Sequence, residues 1–345
     1  MTIETSDYGS LKGGTKAKLF TLSNSNGLCA KISNYGGIIT ELHVPDRAGI
    51  LADIALGKDS LDDYIDGHPY FGCITGRVAG RISGANFKLD GASYSLINND
   101  GPNCLHGGQV GYDKVLWNAS VIDCDGIKKL LLSFSDLDGN NGFPGRIDCT
   151  VTYALLADNS LEITYNAVTT KSTPFNITNH SYFNLCGAGN GDILGHQIQI
   201  FASSVASTDA NGTLLGRFDE VVDGYNDFRK PVTLSERELD AGNADIHYCL
   251  DAGRSQCIQQ AAHVYEPQSG RQMDVYTTQP GVQFYAGLVL DDSGKNGIHY
   301  KKNWGFALET QDYADSVNYP QMGGAMLHPG NAFQSKTLYK FSARY

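Results

Sequence analysis

Cys149-Thr150-Val151-Thr152-Tyr153-Ala154-Leu155, the turn Asp158-Asn159-Ser160, and Leu161-Glu162-Ile163-Thr164-Tyr165-Asn166-Ala167 decide the architecture. Val151, Tyr153 and Leu155 share one face of the first run, and Leu161, Ile163, Tyr165 and Ala167 share one face of the second. A period of two interrupted by turn residues is the pattern of a β-hairpin. Outward from it, Asn26-Gly27, Asp90-Gly91, Asp125-Gly126, Asp138-Gly139, Asn141-Gly142 and Asn296-Gly297 separate short runs rich in Ile, Val, Leu, Phe and Tyr. Many antiparallel strands with tight turns follow. The 40 glycines and 19 tyrosines, with no Ala-, Glu- or Lys-rich helical stretch, agree with this.

Helix is expected once, in about two turns, where Ser60 caps a first turn containing Asp62 and Asp63 and the run ends before Gly67 and Pro69. No repeat of propeller or solenoid period and no Pro/Gly/Ser linker divides the 345 residues. The expectation is therefore all-β: one large antiparallel β-sandwich domain, residues 1–345, with very little helix and with its chemistry on long loops.

The formal charge of −11 opposes nucleic acid and anionic membrane as partners and suits a neutral small molecule. No apolar run reaches the roughly 18 residues that span a bilayer, and Met1 to Thr5 carries no export pattern. Cys29, Cys73, Cys104, Cys124, Cys149, Cys186, Cys249 and Cys257 are scattered without a C-x-x-C pair. Reduced, mostly buried thiols of a cytoplasmic protein are the expectation.

Three clusters place ionisable groups where a plain strand needs none. In Asn103-Cys104-Leu105-His106-Gly107-Gly108 the two glycines let the chain turn tightly and bring an imidazole to a cleft floor. Thr178-Asn179-His180-Ser181-Tyr182-Phe183-Asn184-Leu185 mixes hydrogen-bonding groups with aromatic faces, a combination that suits the hydroxyls and apolar faces of a pyranose. In Ala307-Leu308-Glu309-Thr310-Gln311 an acid sits in an apolar strand, where burial raises its pKa toward the range of a general base; outward alternation would instead leave it in solvent. Spaced glycines at Gly187-Ala188-Gly189-Asn190-Gly191 precede no helix and make a poor phosphate loop. His106 and His180 have no metal-ligand spacing, and no G-x-S-x-G elbow is present, so neither a metal nor a cofactor is expected.

Taken in order, Gly76-Arg77-Val78-Ala79-Gly80-Arg81-Ile82, Asn103 through Trp117, Thr178 through Leu185, Tyr276 through Tyr285 and Leu308-Glu309-Thr310-Gln311 resemble the aldose 1-epimerase (galactose mutarotase) family. The resemblance runs from about Asn34 to Phe341. It implies a large antiparallel β-sandwich with an open sugar cleft, no metal or nucleotide, and interconversion of the α and β anomers of free hexoses such as galactose and glucose. It implies Glu309 as catalytic base and His180 as catalytic acid, Arg81, His106, Asp245 and Gln283 as sugar-binding residues, and Ser181 and Tyr182 beside the acid as further contacts. A monomer or weak homodimer is expected.

Three departures from the family pattern stand out. Gly80 replaces the Asn that usually precedes the arginine, which removes an amide worth roughly 0.5–1.5 kcal/mol of sugar contact. Ile246 follows Asp245 where a His is common, and Ala314 and Met322-Gly323 stand where proline-containing sequence is usual. Gly80 keeps open a diverged enzyme acting on another sugar or a non-sugar hemiacetal. A non-catalytic carbohydrate-binding protein has no use for a matched acid and base. A glycoside hydrolase would need Glu309 and Asp245 as its two carboxylates.

Overall fold

A computed structural model of the chain describes residues 1–224, 226–239 and 244–345. Its largest sheet has nine strands in the order Asn118–Cys124, Ile127–Asp136, Ile147–Leu155, Ser160–Thr169, Phe333–Ala343, Arg271–Thr277, Gln259–Tyr265, Gln197–Ile200 and Val232–Thr233. The founding hairpin lies inside it, with Val151 opposite Tyr165, Tyr153 opposite Ile163 and Leu155 opposite Leu161, all buried. Asp125-Gly126 and Asp90-Gly91 each close a two-residue hairpin with both residues at positive φ, as a type I′ turn requires. The short helix covers Leu61–Asp66, with Ser60 and Asp63 forming a reciprocal capping box.

A second sheet runs Leu214–Glu220, Ser204–Thr208, Asp245–Cys249, Gly281–Tyr285, Ala307–Gln311, and a five-stranded N-terminal meander spans Thr2–Ser10 to Leu51–Asp53. The second sheet packs on the first. Thr310 Oγ1 and Thr337 Oγ1 lie 2.5 Å apart, and the Tyr339 hydroxyl donates to the Leu308 carbonyl at 3.3 Å. Leu308 and Thr310 thus face the interlayer core, and the two-residue period turns Glu309 and Gln311 to the opposite side of the strand. Residues from Phe20 to Phe341 share one apolar core between the sheets. The result is an all-β sandwich. All eight cysteines are unpaired; four are buried rather than most, because Cys124 and Cys257 sit in exposed positions and Cys29 and Cys186 are half-buried.

Arg77, inside the first motif, is structural. Its side chain is 1% exposed, donates to Asp136 Oδ2 at 2.7 Å and caps the carbonyls of Pro144 and Gly145, both at 2.8 Å. Removing one partner leaves a buried charge uncompensated. Arg77→Met is expected to lower unfolding stability by about 3–5 kcal/mol, read from denaturant midpoints; a loss below about 1 kcal/mol would show that Tyr112 and Asn140, the other donors to Asp136, suffice for the carboxylate.

Candidate active site

Two distant segments are stitched side by side. Phe183 and Phe306 exchange backbone hydrogen bonds of 2.7 and 3.0 Å, and the Thr178 hydroxyl donates to the Thr310 carbonyl at 2.9 Å. His180 therefore meets Glu309, with Nε2 and Oε1 3.4 Å apart and both side chains almost fully buried. A third segment arrives through the pairing of Arg81–Ile82 with Cys104–Leu105. The His106 N–H donates to the Gly80 carbonyl at 3.0 Å, and the Gly80 N–H donates to His106 Nδ1 at 3.1 Å. With Nδ1 accepting, the neutral His106 ring carries its proton on Nε2. The tight turn after it needs glycine: His106 already has φ 51°, and a Cβ on Gly107 would fall 2.0 Å from the Gly76 carbonyl oxygen.

These residues line a cleft of about 380 Å³. Arg81, His106, His180, Tyr182, Asp245, Gln283 and Glu309 all face it. Arg81 Nε donates to Asp100 Oδ2 at 2.7 Å, and its Nη1 lies 3.7 Å from Asp245 Oδ2. Gln283 donates to the other oxygen of Asp245. Ser181 is the exception among the expected contacts. Its hydroxyl and N–H both turn to Asn179 Oδ1, at 2.6 and 3.1 Å, so it fixes the loop under His180 instead of lining the cleft.

Burial sets the protonation of the pair. It pushes Glu309 well above the usual carboxylate range, reinforced by the negative charge of Asp245 and opposed by Arg81. Burial also lowers His180 to about 4. The two shifts converge on a single proton for the pair, and burial favours the uncharged arrangement, glutamic acid beside neutral imidazole. A single transfer within the pair creates carboxylate and imidazolium. Asp245 is also raised by burial, against the pull of Arg81 and Gln283.

The sequence profile of the aldose 1-epimerase family matches residues 18–340. The galactose mutarotase of Bos taurus is 41% identical over 322 residues, covering 92% of this chain and 92% of the relative. The chain belongs to the aldose 1-epimerase family. Galactose mutarotase of Sus scrofa is 40% identical over 346 residues, 99% of each chain. An aldose epimerase homologue from C. elegans superposes with a TM-score of 0.87 at 27% identity, covering 95% of this chain and 100% of the other. As an aldose 1-epimerase the protein is an isomerase that interconverts sugar anomers.

The epimerase cleft also uses residues that the motifs did not single out. Tyr70 stacks on His180 with ring centroids 5.7 Å apart and meets His106 edge-on at 4.5 Å, while Asp100 anchors Arg81. Neither has a sequence signal, since each reaches the cleft from a loop. Tyr285, His247 and Gln311 were readable in principle, because each lies two positions along a strand from Gln283, Asp245 or Glu309. Ligand atoms of His106, His180 and Glu309 lie within 4.8 Å of one another, a grouping that sequence spacing could not show. Two imidazoles and a carboxylate suit a divalent ion as well as proton transfer. In the epimerase, His106 Nδ1 is already engaged by Gly80, so only its Nε2 is available to such an ion.

Proposed function

We propose that the cleft opens and recloses the ring of a free aldohexose such as galactose or glucose, with Glu309 as base and His180 as acid. The observation that carries this is the buried pair itself: a carboxyl group and an imidazole 3.4 Å apart at the wall of the cleft. Mutarotation needs two proton transfers, one from the C1 hydroxyl and one to the ring oxygen. Once its proton has passed to His180, Glu309 takes the first; His180, then holding the pair's proton, gives the second, and closure on the other face reverses both. Arg81, His106, Asp245 and Gln283 hold hydroxyls, and Tyr70, Tyr182 and Tyr285 offer aromatic surface to the ring. The named substrate of the bovine and porcine relatives, galactose, supports that sugar here.

Polarimetry on freshly dissolved α-galactose tests the reading. The protein is expected to accelerate the approach to anomeric equilibrium, and to do so equally after dialysis against a chelator, because the proposed steps are proton transfers between side chains and sugar. Rotation relaxing at the buffer rate would overturn the reading, and activity lost to the chelator would overturn its metal-free form.

The continuous core supports one domain over 1–345, and the eight unpaired thiols support a reducing compartment such as the cytoplasm. Among the described residues, no helix is long and apolar enough to cross a membrane.

A further inference from the structure

One end of the cleft holds two buried polar side chains with no assigned task. His247 and Gln311 both line it and are 4% and 2% exposed, yet His247 Nε2 and Gln311 Oε1 have no hydrogen-bond partner. Unpaired buried polar atoms cost free energy, so a pair of them in a cleft marks a place for a ligand group. Register brings them together. Gly281 lies opposite Gln311 on one side and Cys249 on the other, and a Cβ on Gly281 would fall 2.2 Å from His247 Nε2. The imidazole therefore occupies the space over Gly281, next to Gln311, with Tyr313 against it edge-on at 5.4 Å.

The same corner is where Gly80 departs from the family pattern. A Cβ on Gly80 would lie 3.4 Å from Gln311 Nε2 and 2.6 Å from the Ala314 methyl, and Gly80 has φ 82°. A larger residue at position 80 would be strained at this φ and would press on the Ala314 methyl, and the amide that an asparagine would supply is absent from this side of the cleft. Burial lowers His247 to about 4, against the pull of a hydrogen bond with the Gln283 side chain, so at neutral pH the ring is uncharged and its Nε2 is the nitrogen left for a ligand. A glutamine amide carries both a donor and an acceptor. A sugar hydroxyl donates and accepts, and the nearby carboxyl groups of Asp245 and Glu309 disfavour an anion.

We propose that His247 and Gln311 form a subsite for one hydroxyl of the sugar at the Gly80 end of the cleft, and so determine which sugar is preferred. This rests on reading the cleft as a sugar site. The test is steady-state mutarotation of galactose and its 2-, 3-, 4- and 6-deoxy analogues by wild type, His247→Phe, His247→Gln and Gln311→Met. Expected for His247→Phe and Gln311→Met is a KM for galactose raised about three- to tenfold with kcat within about twofold of wild type. His247→Gln, which keeps a donor and an acceptor, should recover part of the loss. The penalty should vanish for one deoxy sugar, the analogue lacking the hydroxyl in question, and persist for the others. Should His247→Phe fail to fold, Gln311→Met carries the same comparison. An active wild type whose folded variants keep the parent KM, or lose equally on every sugar, overturns the subsite alone. A wild type without mutarotase activity overturns the reading of the cleft and the subsite with it.

Discussion

Glu309→Gln is expected to slow galactose mutarotation by about 10²–10⁴-fold while leaving KM nearly unchanged. The amide has the shape of the carboxyl group but cannot take a proton from the C1 hydroxyl. Arg81, His106, Asp245 and Gln283, the groups proposed to hold the sugar, stay in place in this variant. Folding offers an independent check. The folded-state pKa of Glu309 is raised above its ordinary value of 4.5, so the native state holds this proton more tightly than the unfolded chain. Its contribution to stability is present below that value and is lost as pH rises toward the folded pKa. The glutamine variant escapes that loss and should be at least as stable as wild type at neutral pH. Denaturant unfolding at pH 5 and pH 8 should show its relative stability rising with pH; a lower stability at pH 8 would mean that Glu309 is ionised and paired in the native state.

His180→Asn should cost a similar factor in rate, because the ring oxygen then has no acid to protonate it as the ring opens. The pH profile separates this role from general damage. Wild-type kcat/KM should be bell-shaped, with an acidic limb near pH 4, where a second proton joins the pair, and an alkaline limb where the raised pKa of Glu309 is passed and the pair loses its last proton. Both limbs belong to the pair and not to either residue alone. Stopped-flow or polarimetric rates for His180→Asn should be low and should lose the alkaline limb, because Glu309 alone then has only to be ionised. A variant with rates above about a tenth of wild type would remove His180 from the acid role.

Much of this architecture was legible in the residues themselves. The hairpin at Cys149 to Ala167 kept the faces read from its alternation, and the Ser60 cap lies where its acidic first turn placed it. The orientation of Glu309 was not legible, because every residue from Ala307 to Gln311 is buried and alternation of polarity vanishes when both faces of a strand are covered. The contacts of Thr310 with Thr337 and of Leu308 with Tyr339 decide which way it points. The placement of Ser181 was not legible for a related reason: adjacent residues in a loop need not share a face, and the Asn179 side chain captures its hydroxyl. Tyr70 and Asp100 went unseen because loop geometry, not local sequence, carries them to the cleft. His247 was passed over because Ile246 stands where a histidine was expected after Asp245, although alternation along the strand carries the imidazole two positions on into the cleft.

Soaking the protein with galactose and solving the complex tests the central claim most directly. The account predicts the pyranose in this cleft with its C1 hydroxyl within hydrogen-bond reach of the Glu309 carboxylate and its ring oxygen within reach of the His180 imidazole. A sugar bound in the cleft with neither group near C1 or the ring oxygen, or bound elsewhere on the protein, would contradict it.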